Sequence, residues 1–457
     1  MATGRIPKGE LRRLAERVVE RAKRRGARQA DAFAEVSRES SVRVRDGEVE
    51  ELSQATGKGI GLRVVAAGRL GFAYTSDLSG GALETLVDRA LALAKASAPD
   101  EANRLPNARA LAARNGPQDL LDPEVEALST DWKIDAAKTM ERVGRGVDAH
   151  VKAFESVGAS DVAGEVAIAT SEGISDEYRH GYVALYSAPV AQDDAGGLQT
   201  GYWVDYRRFL ADLETPEAVG RRAAERAVRM LGARKVESCR VPVVLDPLMA
   251  ASFFGGLVAA LNGNLVRKKA SFLAGRVGER IAPADLSLVD DGLLPRGLGS
   301  RPFDGEGLAT RRQSLVERGV LRCYLYDCHA AQKAKAKSTA TASRGYQNLP
   351  AIGTTNLMAV AHAPVPAAEI VRGVSRGIYV TSMLGHGADP VTGDYSRGAA
   401  GLLIEGGELS RPVQEVTVAG NLLEMLAGID AMGDDLDFRG QVRAPTIRFR
   451  ELTVSGA

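Results

Sequence analysis

The chain has 457 residues, of which 45% are apolar and 26% charged, and its 59 lysines and arginines nearly balance 58 aspartates and glutamates. This length and composition predict a soluble globular protein of two domains. The net charge of +1 argues against a strongly basic nucleic-acid surface, and no segment reaches the roughly 18 apolar residues of a membrane span. Residues 1–26 lack the apolar core of a signal peptide, and three cysteines make no disulfide framework. We therefore expect a cytoplasmic protein.

The first half of the chain mixes helical and extended patterns. Apolar residues at helical spacing predict an amphipathic helix over residues 8–25, which Gly26 ends. The elements predicted after it are strands 32–36 and 41–45, a hairpin of 59–65 with 69–74, a helix over 82–96, a polar linker at about 99–123, a helix over 130–151 capped by Thr130-Asp131, strands 162–169 and 182–188, and a helix over 216–231 capped by Thr215.

The second half is richer in strands. A short apolar strand over 240–245 leads into a helix that begins at Asp246-Pro247 and ends by Asn262-Gly263, and a short helix fits 367–374. Strands mixed with segregated helices favour an α+β fold. We expect two domains, a helix-plus-antiparallel-sheet domain over 1–235 and a mainly β domain over 236–457 with a buried helix at its start.

A glycine-rich run over residues 385–401 stands out from the rest of the sequence. Interior glycines disfavour a helix, and the turn residues around Asp389-Pro390 predict a long loop. Such loops often carry function, which makes several of its side chains candidates for contact with a peptide or a partner. These candidates are His386, Asp394, Tyr395, Ser396 and Arg397. The alternatives are a surface histidine, turn capping by the aspartates and an internal salt bridge of Arg397.

The region 382–407 resembles the signature of the PmbA (TldE) branch of the TldD/PmbA family. The segments 59–63, 71–74, 303–307, 319–321 and 354–357 resemble other parts of the same family, so the likeness covers most of the chain. Members of this family form two-subunit intracellular zinc metallopeptidases that cleave peptides. The resemblance therefore implies an intracellular peptidase assembly.

The catalytic TldD branch carries a His-Glu-x-x-x-His motif on the helix that opens the C-terminal domain. Its histidines bind zinc and its glutamate acts as general base on the metal-bound water. The resemblance places Phe254 and Ala259 at the histidine positions and Gly255 at the glutamate position. The third ligand of that branch is a cysteine near the C-terminus, and the matching loop 432–437 has none. We therefore expect no metal and no catalytic residue in this chain, with zinc supplied by a TldD-like partner.

The helix itself has an ordinary interpretation, since its apolar residues follow the spacing of a core face. Other patterns are weaker. The spacing of Cys323, Cys328 and His329 fits no common zinc site, and Ser271 beside Lys268 and Lys269 is an isolated nucleophile–base guess. The run Gly57 to Gly61 superficially suggests a dinucleotide fingerprint, but the residues after it are β-rich, so we reject that function.

Three functions remain. The favoured one is a PmbA/TldE-like subunit that pairs with a TldD-like catalytic chain in a heterodimer and acts on unfolded peptides, without nucleic acid or membrane. The second is an inactive homodimeric scaffold or peptide-binding protein. The third is a metal-independent hydrolase whose site is not recognised.

Overall fold

The first half of the chain is built on one seven-stranded antiparallel sheet. The computed structural model describes residues 9–107, 119–385, 387–437 and 439–456. The sheet order is β3-β2-β1-β4-β5-β6, with β7 also paired to β5, and two long hairpins, β1–β2 and β4–β5, form its centre. The strands are β1 (Gln29–Arg45), β2 (Glu48–Ala66), β3 (Arg69–Thr75), β4 (Val151–Thr170), β5 (Ser175–Gln192), β6 (Leu198–Thr200) and β7 (Trp203–Arg207).

Helices cover one face of this sheet. Side chains alternate along a strand, and even positions of β1, such as Ala32 and Val42, pack in the cores beneath the helices. One core lies under α1 and α2 and the other under α4 and α5. The helices are α1 (Glu10–Arg24), α2 (Gly80–Ala96), α3 (Pro123–Glu126), α4 (Thr130–Arg145) and α5 (Pro216–Val228).

The predicted elements of this half are found, but several bounds differ. The strands predicted at 32–36 and 41–45 are one strand, because the polar stretch between them pairs through its main chain with β2 and β4. Helix α4 is capped by Ser129 rather than Thr130 and ends well before residue 151. The predicted cap at Thr215 is confirmed, since its Oγ1 accepts the N–H of Ala218. Residues 108–118 of the predicted linker lie outside the described residues.

The second half contains two further sheets. A five-stranded sheet has the order β11-β10-β9-β12-β17, and a six-stranded sheet has the order β15-β14-β13-β8-β18-β16, with β15 also paired to β18. The elements are β8 (Cys239–Leu245), α6 (Pro247–Ala260), α7 (Gly263–Arg267), β9 (Leu286–Asp291), β10 (Arg312–Glu317), β11 (Val320–Leu321), α8 (Cys328–Ala334), β12 (Leu357–Ala361), α9 (Ala367–Arg372), β13 (Arg376–Leu384), β14 (Asp394–Glu405), β15 (Glu408–Asn421), α10 (Leu422–Ala427), β16 (Ile429–Met432), β17 (Val442–Arg443) and β18 (Ile447–Ser455).

Helix α6 is the buried helix expected at the start of this half. Its Phe253 and Phe254 belong to the core cluster that contains Leu245 of one sheet and Leu288 of the other. The helix therefore packs into the apolar core that the two sheets share, and the α+β fold class is confirmed. None of the described helices combines the length and the apolar character that a membrane crossing requires.

A buried network of charges joins the two halves. Arg63 on β2 donates from Nε to Oδ2 of Asp31 on β1 at 2.9 Å and from Nη1 to Oε1 of Glu306 at 3.3 Å. Arg344 of the second half donates to the other oxygen of Asp31 at 3.0 Å, and none of the four side chains is more than 7% exposed. Burial favours a neutral acid, yet Arg344 and Arg63 hold the pKa of Asp31 below its usual range.

Main-chain and glycine contacts reinforce this junction. The fully engaged guanidinium of Arg208 donates to five carbonyl oxygens, two in the first half and three in the second, of Leu120, Gly181, Gly297, Leu298 and Ser300. The ring of Tyr346, from the second half, packs against β2 of the first half. A Cβ added at Gly59 of β2 would stand 2.1 Å from this ring. Of the glycines that superficially suggest a nucleotide fingerprint, Gly59 and Gly61 therefore leave room for Tyr346 of the second half.

Removal of one member of the charge network should lower the stability of the folded protein. We predict that Arg63→Ala lowers the free energy of unfolding by about 3–5 kcal/mol, because Asp31 and Glu306 would remain buried without their shared cation. Urea denaturation measures the loss. Lys235→Ala is the matched control, since its pair with Glu415 lies at the surface. Equal losses in both variants would contradict this role of the network.

A partly buried histidine, His180, is expected to make stability depend on pH. Burial, and then the Arg208 cation, lower the pKa of His180 to about 4. The unfolded chain, with an ordinary pKa of about 6.5, binds the proton more strongly, so stability is lost as the pH falls from about 6.5 to about 4. We predict that His180→Gln removes up to about 3 kcal/mol of this loss, measured by urea denaturation at pH 7.5 and 4.5. An unchanged pH dependence in the variant would refute the assignment.

Candidate functional site

Two of the three positions at which the resemblance places metal ligands lie on α6. Asp246 caps this helix, its Oδ1 accepting the N–H of Met249 at 2.9 Å. Phe254 is 0% exposed and its ring packs edge-on against Phe253, whereas Ala259 is exposed to solvent. Positions five residues apart on an α-helix lie about 140° apart around its axis. The two histidine positions therefore do not share one face of this helix.

The loop that matches the third ligand position contains three aspartates with structural contacts. Oδ1 of Asp435 accepts the N–H of Thr446 at 2.9 Å and its Oδ2 accepts the Thr446 hydroxyl at 2.7 Å. Asp437 forms an ion pair with Arg439, and Oδ1 of Asp434 accepts the N–H of Ala367. Across residues 9–107, 119–385, 387–437 and 439–456, no three His, Cys, Asp or Glu side chains form a group that could hold a metal ion.

The prediction of one long loop over residues 385–401 is wrong for its second part. Strand β14 begins at Asp394 and pairs with β13 on one side and β15 on the other. Gly401 lies where the strands come close, because a Cβ there would stand 2.0 Å from the carbonyl oxygen of Tyr379. Close strand approach, rather than a turn, explains this glycine.

The candidate contact residues of this run are separated by the strand. His386 lies outside the described residues. Asp394 and Ser396 are exposed, whereas Tyr395 is 4% exposed and its hydroxyl contacts Sδ of Met383 at 3.3 Å. A peptide bound at the surface of the protein would therefore not reach most of the Tyr395 side chain.

Arg397 reaches helix α6. Its Nη1 donates to Oγ of Ser252 at 2.8 Å and its Nη2 donates to the carbonyl oxygen of Met383 at 3.3 Å. Among the described residues Arg397 forms no internal salt bridge, and its hydrogen bonds go to a hydroxyl and a main-chain oxygen, while contact with a peptide carboxylate stays a prediction. It thus links Ser252, an exposed residue of α6, to β13.

The weaker sequence candidates have ordinary structural contacts. Ser271 donates its hydroxyl to the carbonyl oxygen of Ala260 at 2.6 Å. His329 pairs with Asp100 at 3.1 Å, and Cys323 contacts a carbonyl oxygen through its sulfur. Burial, together with the nearby Glu306, raises the pKa of the Cys328 thiol far above its usual value, which disfavours the thiolate that binds metals.

One feature that the sequence analysis missed is a cleft between the two halves. It has a volume of about 790 Å³ and lies among β7, the start of α6, Tyr379 of β13 and the loop 435–443. The cleft therefore reaches the first residues of α6 and the loop that matches the third ligand position, but its lining includes neither Phe254 nor Ala259. Its charged lining consists of Arg207, Arg208, Arg226, Arg296, Arg439, Arg443, Asp212, Asp246, Asp435 and Asp437.

Stacked arginines surround Trp203 at the edge of this cleft. The guanidinium carbons of Arg439, Arg222 and Arg226 lie 3.8, 4.7 and 5.4 Å from the centre of its ring system. Its indole N–H donates to Glu214 at 3.2 Å. Cation–π contacts of this kind stiffen long cationic side chains. The signal in the sequence that could have indicated this surface is the run of aromatic and cationic residues over 202–208, Tyr-Trp-Val-Asp-Tyr-Arg-Arg.

The electrostatics of the cleft follow from burial. Burial and the neighbouring Arg207 cation lower the pKa of Arg443 to about 10. Burial, together with the nearby Asp246 carboxylate, raises the pKa of Tyr379 to about 12, so its hydroxyl remains protonated at neutral pH. The cleft can thus offer guanidinium and phenol donors to a ligand that carries oxygen acceptors.

Known proteins share this sequence and this fold. The C-terminal domain of the PmbA/TldA metallopeptidases matches residues 238–456, their domain 1 matches 30–94 and their central domain matches 123–231. The metalloprotease PmbA of Escherichia coli O157:H7 is 31% identical over 416 residues, covering 91% of this chain and 90% of that protein. A PmbA homolog of Haemophilus influenzae is 30% identical, covering 98% and 96%.

Solved structures agree with these sequence relatives. A Bacteroides thetaiotaomicron protein described as a modulator of DNA gyrase superposes with a TM-score of 0.89 at 30% identity, over 99% of this chain and 100% of that one. TldE of Thermococcus kodakarensis superposes with a TM-score of 0.88 over 97% and 100%, and at 22% identity this likeness shows the fold alone. From its sequence along nearly the whole length and from its fold, the chain belongs to the PmbA/TldD family of metallopeptidases.

Proposed function

We propose that this chain is the PmbA/TldE-like subunit of a cytoplasmic zinc-dependent peptidase that degrades or processes unfolded peptides. In this proposal a TldD-like partner supplies the zinc and the catalytic base. The present chain supplies part of the wall that encloses the substrate. It also stabilises the conformation of the partner's active site.

One observation carries the proposal. The resemblance places α6 where the TldD branch has its metal-binding helix, and this helix has Phe254, Gly255 and Ala259 at the positions of the ligands and the base. A phenyl ring and a methyl group cannot bind zinc, and glycine has no side chain that accepts a proton. Phe254 instead fills the core between the two sheets, which supports a subunit retained for its shape.

Charge and cysteine usage support the remaining parts of the proposal. The net charge of +1 offers no general attraction for nucleic acid. All three cysteines are free, as suits a reducing compartment. We therefore place the assembly in the cytoplasm, with peptides rather than nucleic acid as its ligands.

A complex with a TldD-like chain is the first expected outcome. We predict that co-expression with a TldD-like chain from the same organism gives a stable 1:1 complex, measured by native mass spectrometry. Cleavage of a reduced, unfolded protein should require the partner, and a chelator should abolish it because the metal is in the partner. A symmetric dimer of this chain that ignores the partner would favour the scaffold function. Peptidase activity of the single chain that survives the chelator would favour an unrecognised hydrolase.

The packing of α6 in the core leads to a separate prediction about stability. Phe254→Ala should lower the free energy of unfolding by about 3–5 kcal/mol, because it leaves a cavity in a closed core. The matched control on the same helix is Ala259→Ser, which changes an exposed position and should alter stability by less than about 0.5 kcal/mol. Denaturation in guanidinium chloride measures both, and a small effect at position 254 would contradict the packed role.

A further inference from the structure

The face of the first sheet opposite the helices is only partly covered. At one end of this face Phe33 and Tyr178 pack with Phe303 of the second half in a small core. Beyond that core the larger side chains reach solvent. Tyr206 of β7 is 37% exposed, and Tyr182 of β5 is half-buried. This part of the sheet is therefore an open surface.

The register of the strands places a row of small side chains across this open surface. Ser53 of β2 lies opposite Ser41 of β1, which lies opposite Ser160 of β4. Ser160 lies in turn opposite Ala184 of β5, and Ala184 lies opposite Tyr206 of β7. Directly opposite residues of antiparallel strands share one face of a sheet. The row therefore forms a shallow floor over five strands that ends at a tyrosine.

Four tyrosines stand beside this floor. The rings of Tyr182 and Tyr206 pack edge to face with their centres 6.1 Å apart. A Cβ at Gly158 would stand 2.6 Å from the hydroxyl oxygen of Tyr186, so the glycine lets this side chain lie close over β4. Tyr202, just before β7, is 48% exposed, and its neighbour Tyr206 contributes to raising its pKa to about 12. We call these four tyrosines and the serine row the tyrosine face.

The chemistry of the tyrosine face favours a polypeptide as its ligand. Arg43, which lies on this face, forms an ion pair with Glu51 of the neighbouring strand. Nucleic acid would require free cations, and a lipid surface would require aliphatic side chains with cations around them. Tyrosine rings instead give rigid contact area at a low entropy cost, and serine hydroxyls adapt to donors or acceptors. Antibodies use this combination to bind polypeptides.

The tyrosine face continues into the cleft between the two halves. Tyr206 belongs to both, since it also lines the cleft that reaches the first residues of α6. An extended chain bound on the face can therefore run on into the cleft. Unfolded polypeptides expose the leucine and aromatic side chains that a folded protein buries, and such side chains pack well against tyrosine rings.

We propose that the tyrosine face binds unfolded peptide substrates through their apolar and aromatic side chains. The inference rests on the proposed function, because that function supplies unfolded peptides as ligands. It gives this chain a role in selecting which segment of a substrate is held, apart from cleavage. A second copy of this chain is the other occupant that such a surface would suit, and the test below separates the two.

Fluorescence anisotropy with two labelled peptides of about ten residues tests the proposal on the purified single chain. Both peptides are acetylated and amidated, carry the same dye and consist of glycine, serine and glutamine. One has leucines at a few positions where the other has serines. We expect the leucine peptide to bind at least about tenfold more tightly, because burial of leucine side chains is favourable.

Substitutions on the tyrosine face should weaken this binding. Tyr206→Ser and, as a second variant, Tyr202→Ser should each reduce the affinity for the leucine peptide at least about fivefold, because each removes an exposed ring. Tyr206→Phe keeps the ring and should retain most of the affinity. Tyr74→Ser is the matched control, since it removes an exposed tyrosine from β3 at the other edge of the sheet and should leave the affinity unchanged.

Equal affinity for the two peptides would overturn the inference, and so would undiminished affinity in both serine variants. Analytical ultracentrifugation tests the other occupant, because a dimer that both serine variants dissociate would assign the face to self-association instead. Circular dichroism establishes that each variant is folded, and Tyr202→Ser keeps the test valid if Tyr206→Ser is not. The assay uses neither zinc nor a partner chain. Failure to form a peptidase complex therefore counts against the proposed function alone, whereas equal peptide affinities count against the tyrosine face alone.

Discussion

The structure depends on a small set of charges that are almost completely buried. Asp31 and Arg63 lie on the face of the first sheet opposite the helices, and each would be costly to bury alone. Glu306 and Arg344 of the second half complete the network, so the two halves satisfy each other's charges. Arg208 adds donor bonds to carbonyl oxygens on both sides of the junction. Because these contacts hold the halves in one arrangement, the cleft has a defined shape although its walls come from distant parts of the chain.

Much of the fold could be predicted from the sequence, because local rules govern it. Helix caps such as Thr215 and the hairpin around Gly68 follow from side-chain and turn chemistry within a few residues. The glycine-rich run was misjudged for a related reason. Glycine both permits turns and allows strands to approach closely, and only the pairing of β14 with β13 distinguishes the two uses at Gly401. Local sequence does not contain that information.

The functional surfaces were harder to predict than the fold. The resemblance directed attention to α6, but the cleft beside its first residues brings Trp203 together with Arg439 and Arg443, which lie more than two hundred positions later. Likewise, the segment 303–307 carried the family likeness, and the structure shows its Glu306 in the buried network rather than at an open site. Charged residues in a sequence show neither their partners nor their burial, so long-range ion pairs and clefts remain beyond pattern analysis.

The central claim is that the place of the metal helix has become packed core, and that chemistry must come from a partner. Elemental mass spectrometry of the purified single chain, prepared without a chelator or a metal-affinity tag, tests this claim most directly. The account predicts a zinc content near zero, because Phe254 and Ala259 offer no ligand atoms. A content of about one zinc per chain would contradict it and would show that this subunit has a metal site of its own.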